Sequence, residues 1–96
     1  MIGLSPSEVE VVRATLLDAF GADAEIWLFG SRAHGDRGGD VDLYVESPRP
    51  GDLPARLAAR RRLESLLHQK VDLIVRGRQE PRSAIDGIAR DTGVAL

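Results

Sequence analysis

Ninety-six residues with 43% hydrophobic and 29% charged content describe a small folded unit with room for one modest core, and they exclude a disordered chain. A net charge of -2 excludes a nucleic-acid binder that works through a broad positive field, although twelve of the thirteen basic residues are Arg. The absence of cysteine excludes disulfides and thiolate metal sites, and no basic leader or membrane-length apolar run is present, so the expected location is the cytoplasm, away from membranes.

Ser5-Pro6-Ser7-Glu8 predicts a helix start: Ser caps, Pro suits the first turn and Glu three residues on completes a capping box. Val9, Val12, Leu16 and Phe20 then recur at helical spacing until Gly21. Glu25 to Phe29, with Ile, Trp and Phe, predicts a strand ending at Gly30. Residues 34–39 carry three glycines and form a loop. A second strand over Val41 to Val45 is broken by Ser47-Pro48-Arg49-Pro50-Gly51. From Leu53 to about Gln69 the chain is rich in Ala, Leu and Arg, a helix with Leu63, Leu66 and Leu67 as its buried edge. Val71 to Val75 predicts a third strand, closed by Gly77, and a last helix runs from about Arg82 to Arg90 despite Gly87. No repeat, low-complexity tract or linker divides residues 1–96, which are expected to form a single domain. The order α-β-(short helix or loop)-β-α-β-α places the chain in the α+β class, with helices layered on a small mixed sheet.

The chemistry lies in Gly30-Ser31-Arg32-Ala33-His34-Gly35 and in Asp40-Val41-Asp42-Leu43. Strand side chains alternate between faces, so Asp40 and Asp42 project to one side with Cα atoms roughly 6.5 Å apart. Such carboxylates converge on one magnesium ion, or on two about 3.5–4 Å apart, and leave room in the shell for waters and substrate phosphates. A helix joining the second and third strands favours parallel neighbours, which sets Asp72 beside that pair. For Gly30-Ser31 to reach the same edge, the first strand must run antiparallel, so the sheet must be mixed. With nine Asp in 96 residues, a D-x-D alone is expected about once by chance. A Gly-Ser after a strand is usually only a turn and cap. The joint placement carries more weight, because three clustered acids are costly without a cation to neutralise them.

Gly30-Ser31-Arg32-Ala33-x-Gly35 followed by Asp40-x-Asp42-Leu43 resembles the signature of the minimal nucleotidyltransferases of the polymerase-beta-like superfamily. Val71-Asp72-Leu73-Ile74 resembles the strand carrying that family's third carboxylate, so the resemblance covers essentially the whole chain. It implies a nucleotidyltransferase fold, with Asp40, Asp42 and Asp72 as catalytic residues and ligands of two Mg2+ ions. It also implies ATP as substrate, with Gly30 and Ser31 holding the β- and γ-phosphates and Arg32 supplying charge. Departures are Gly39 where the family commonly has Ser, His34 where Arg is frequent, and a loop before Asp40 about two residues short. Arg32 and Arg37 are candidates for compensating charge, or are solvated loop residues. His34 reads as a plain loop side chain.

About twenty residues follow Gly77, too few for an acceptor-binding domain, so the acceptor is expected on another macromolecule. Stand-alone members of the family are often encoded with a HEPN-domain ribonuclease and act as its antitoxin by binding it and, in active cases, by transferring AMP to a tyrosine on it. The resemblance therefore implies a protein adenylyltransferase antitoxin with a HEPN-domain toxin as partner, without direct nucleic-acid binding. The alternative is a non-catalytic or weakly catalytic antitoxin that neutralises its toxin by occlusion; a third reading is a metal- or nucleotide-binding module without transfer. An apolar face normally covered by a partner would drive homo-oligomerisation in isolation. Arg56, Arg60, Arg61 and Arg62 form either a partner surface or a solvated helix face. The acceptor is expected near the Gly35–Gly39 loop and the Pro48–Pro50 segment.

Overall fold

The computed structural model describes residues 2–81 and 83–96. Helix α1 (Pro6–Phe20) opens on a closed capping box, with the Glu8 N–H donating to Ser5 Oγ at 3.2 Å and the Ser5 N–H donating to Glu8 Oε1 at 2.8 Å. Strand β1 (Glu25–Phe29) leads into a 3-10 helix over Gly30–His34, then strand β2 (Val41–Ser47), helix α2 (Leu53–Leu67), strand β3 (Val71–Gly77), helix α3 (Ala84–Thr92) and strand β4 (Val94–Ala95).

The elements depart from sequence expectation in a few places, each with a local cause. Strand β2 continues to Ser47, whose hydroxyl donates to the Phe20 carbonyl at 2.6 Å and accepts the Arg49 N–H at 2.9 Å. Helix α2 stops at Leu67 because His68 takes a left-handed φ of 54°. Leu66, expected on its buried edge, is 48% exposed; the buried stripe is Ala59, Leu63 and Leu67, at successive i, i+4 positions. The last helix begins at Ala84 and ends at Thr92, while Arg82, the expected start, lies outside the described residues. Strand β4 was not foreseen, since two residues carry no periodicity; it forms by pairing Val94 and Ala95 with Leu28 and Trp27.

The sheet order is β3-β2-β1-β4, with β2 and β3 parallel and β1 antiparallel to both of its neighbours. This is the mixed α+β architecture that the α2 crossover requires. Strand alternation divides the sheet cleanly. Ile26, Leu28, Val41, Leu43, Val45, Val71 and Val75 join Val12, Leu16 and Phe20 of α1 and Leu63 of α2 in the main core. The opposite face carries Trp27, Phe29, Tyr44 and Ile74, packed with Ala89 of α3.

Helix α3 is nine residues long and contains Gly87, so its stability must come from contacts with the sheet. The contacts are largely polar. Arg90 donates to both oxygens of Glu46 at 3.0 and 3.1 Å and stacks 4.7 Å over the Trp27 ring. Arg76 on β3 pairs with the fully buried Asp86 at 3.1 Å, and the Tyr44 hydroxyl donates to Glu46 at 2.6 Å. Among the described residues, no helix is long and apolar enough to cross a membrane.

Candidate nucleotide and metal site

Strand register builds the site. Parallel pairing aligns Asp42 with Asp72, and antiparallel pairing sets Phe29 opposite Asp42. The end of β1 and the starts of β2 and β3 therefore share one edge, as the D-x-D and V-D-L patterns implied. Register partners point to the same face of a sheet, so Asp42 and Asp72 stand side by side. Asp40 precedes β2 by one residue, and its charge is still felt at Asp42.

Asp42 bears the cost of this clustering. Burial first, then the charges of Asp72 and Asp40, push its carboxyl above the ordinary carboxylate range, and a side-chain hydrogen bond links it to Asp72. Carboxylates set side by side in this way form a site whose electrostatics call for a cation.

Gly30 is the other half of the arrangement. Its φ of 70° is left-handed, and a Cβ there would collide with Asp42 Oδ2. Only glycine lets the turn settle directly on the carboxylate. The loop then folds back, so that a Cβ on Gly39, at φ 79°, would lie 3.8 Å from Ser31 Oγ. Gly30, Ser31 and Gly39 thus surround the carboxylates with backbone and one exposed hydroxyl.

Arg32 requires a correction. Expected at the nucleotide, it is instead 3% exposed, with its guanidinium spent inside the protein. Nε donates to Gly38 O at 3.0 Å, one terminal nitrogen to Gly3 O at 2.9 Å, and the other to Gly39 O at 3.1 Å and to Gln69 Oε1. Four of its five N–H groups are occupied, and the side chain holds the 35–39 loop against the rest of the fold. Gln69, which sequence reading treated only as a helix end, relays the anchor by donating to Glu8 Oε2 at 2.7 Å. No local sequence signal marks this relay, because Arg32 and Glu8 lie 37 and 61 residues away. Arg37 lies 3.9 Å from Glu8, and His34 is exposed.

The Pro48–Pro50 segment also needs correcting. It follows the far end of β2 and lines a hollow with Gly77, Arg78 and Glu80. Pro48 lies six strand steps past Asp42, about 20 Å at 3.3 Å each. Only the Gly35–Gly39 loop is near the acids.

Among the described residues, no three His, Cys, Asp or Glu side chains are drawn close enough to hold a metal ion unaided. The donors nevertheless fit magnesium. They are hard oxygens from aligned strands, carrying repulsion that a cation would relieve, and magnesium usually takes only one or two protein carboxylates plus substrate phosphates and waters.

A family model described as a nucleotidyltransferase domain matches residues 9–92. Several solved structures share the fold. A mutant of the toxin–antitoxin MntA-HpeT superposes with a TM-score of 0.76 at 24% identity, over 97% of this chain and 72% of that one. A toxin–antitoxin with AMP-PNP gives a TM-score of 0.75 at 23% identity, over 96% and 72%. A tri-AMPylated Shewanella oneidensis HEPN toxin in complex with MNT antitoxin gives 0.69 at 24% identity, over 92% and 66%. Among curated proteins, no sequence matches significantly. At these identities the likeness to solved structures is one of fold, and the family rests on the sequence match over most of the chain. This chain belongs to the nucleotidyltransferase domain family.

Proposed function

We propose that this chain transfers AMP from ATP to a hydroxyl, that of a tyrosine, on a HEPN-domain toxin, and acts as that toxin's antitoxin. The observation that carries this reading is the alignment of Asp42 with Asp72 beneath Gly30. The family match supports nucleotidyl transfer, and fold neighbours that include a tri-AMPylated HEPN toxin and an AMP-PNP complex support the acceptor and the donor.

In this reading Asp40, Asp42 and Asp72 would hold two magnesium ions, which when bound would supply charge neutralisation for the transfer. The Gly30–Ser31 turn holds the β- and γ-phosphates with backbone N–H groups and the Ser31 hydroxyl. The acceptor oxygen attacks the α-phosphorus in line. A new P–O bond forms, the bond from the α-phosphorus to the α–β bridging oxygen breaks, and pyrophosphate leaves. Asp72 takes the proton of the acceptor hydroxyl. Arg32 positions the loop without touching the nucleotide.

Incubation with labelled ATP, magnesium and a HEPN-domain toxin tests the proposal. Label on the partner's tyrosine, lost in the Asp40→Asn/Asp42→Asn double variant, is the expected result; an equally active double variant overturns it. A stable complex that acquires no label favours neutralisation by occlusion. That second reading draws on Gly39, His34, the short loop and the absence of a preassembled three-acid cluster among the described residues.

A further inference from the structure

Strand β3 is an edge strand, so one side of its backbone has no strand neighbour. The phase of that free side can be read from Val71, whose N–H turns outward and donates to Glu64 Oε2 at 2.9 Å. Backbone direction alternates along a strand, so the next outward N–H and C=O groups belong to Leu73 and Val75. A groove of about 280 Å³ runs along this edge, roofed by Leu53, Arg56, Leu57 and Arg60 of α2, with Arg76 on its strand wall and Asp72 at one end.

Two features give the groove a chemical preference. Arg60 Nε is buried and has no acceptor among the described residues, in a groove lined, Asp72 apart, by hydrophobic and basic groups. Three Arg side chains face a single carboxylate, Asp72. Arg76 is paired with Asp86 at 3.1 Å and Arg56 with Glu80 at 3.9 Å, so the uncompensated charge centres on Arg60. Of the four clustered Arg of α2, Arg56 and Arg60 line the groove while Arg61 and Arg62 are exposed.

We propose that the free edge of β3 docks an extended acidic segment of the acceptor protein. That segment adds a strand through the Leu73 and Val75 backbone groups, sets a carboxylate against Arg60, and leads a hydroxyl toward Asp72. The identification of the docked chain as the acceptor's rests on the transfer reading above; the docking chemistry does not. A second copy of this chain is disfavoured as occupant, because continuing the sheet through two β3 edges would bring the Arg56 and Arg60 rows of both α2 helices together.

The probe is a strand-forming peptide of alternating glutamate and valine around one tyrosine, with an arginine-for-glutamate counterpart. Amide exchange of the full chain is followed with and without each peptide. The acidic peptide slows exchange at Leu73 and Val75 but not at Val71, whose N–H is already capped by Glu64. Arg60→Glu weakens its binding about tenfold and improves that of the basic peptide, while Arg60→Lys retains the wild-type preference. Equal binding of the two peptides, unchanged exchange at Leu73 and Val75, or protection there that depends on protein concentration without peptide overturns the docking site. AMP transfer to a partner while these amides stay unprotected overturns the docking and leaves the transfer reading intact; protection without any transfer does the reverse.

Discussion

Asp42 and Gly30 are packed against each other in a way that costs the fold stability. The Asp42 carboxyl is raised by burial and by two neighbouring acids, so its charged form is disfavoured in the folded chain. A raised pKa contributes stability below the unfolded value, and that stability is lost as pH rises through the folded value. Asp42→Asn is therefore expected to raise the Tm of the metal-free protein near neutral pH. The gain should vanish at about pH 3, where the wild-type carboxyl is protonated in both states. Transfer should fall by roughly 10²–10³-fold. Thermal melts at the two pH values and a label-transfer assay check both halves. Gly30→Ala places a methyl against Asp42 Oδ2 at a left-handed φ, costing about 1–3 kcal/mol. Denaturant unfolding measures that cost, and loss of the nucleotide-induced Tm shift checks the site.

At the scale of elements, the N-terminus of α1 and the 35–39 loop are tied together through side chains. Glu8 is held below the usual carboxylate range, first by the Ser5 N–H and then, against the opposing effect of burial, by Gln69. A lowered pKa means stability that is present above the unfolded value of 4.5 and lost as pH falls through the folded one. Glu8→Ala should cost about 1 kcal/mol near neutral pH. The difference should shrink as pH falls below 4.5 in paired melts. Arg32→Met removes the cation that Gly3, Gly38 and Gly39 carbonyls share, a loss of about 3 kcal/mol by denaturant titration. Nucleotide affinity should fall with it, because the loop facing Ser31 loses its anchor.

At the scale of the whole molecule, the sheet separates two jobs by face. The face carrying Leu28, Leu43 and Val45 packs against α1 and α2 and forms the main core. The other face is acidic at the starts of β2 and β3 and is clamped at its far end by α3 through Glu46, Asp86, Arg76 and Arg90. A site at one end of a pre-formed sheet should respond to ligand without refolding. Magnesium with AMP-PNP at about a hundredfold over Kd should add about 2.7 kcal/mol. For a chain of this size that is a Tm rise of about 10 °C or more. Asp40→Asn/Asp42→Asn should abolish the rise while keeping a cooperative melt, as differential scanning calorimetry would show.

The local order was legible from local chemistry. Ser5, Pro6 and Glu8 mark a helix start, Gly21 its end, and alternating apolar residues the strands, because each signal acts within a few positions. The alignment of Asp42 with Asp72 was also legible, since a helical crossover between short strands admits little besides parallel pairing. Long-range side-chain commitments were not. Arg32 beside a Gly-Ser turn reads as a phosphate ligand until folding surrounds it with carbonyls from Gly3, Gly38 and Gly39. The Pro48–Pro50 segment reads as near the acids until strand length carries it to the opposite end. Strand β4 and the α3 clamp depend on partners tens of residues distant. What the sequence determined alone was the helices, the first three strands and the acids at their ends, through short-range sterics and hydrophobic period. Which polar groups are consumed within the fold, and which remain free for a ligand, only the tertiary structure decided, because burial and hydrogen-bond partnership are properties of surroundings that no single segment contains.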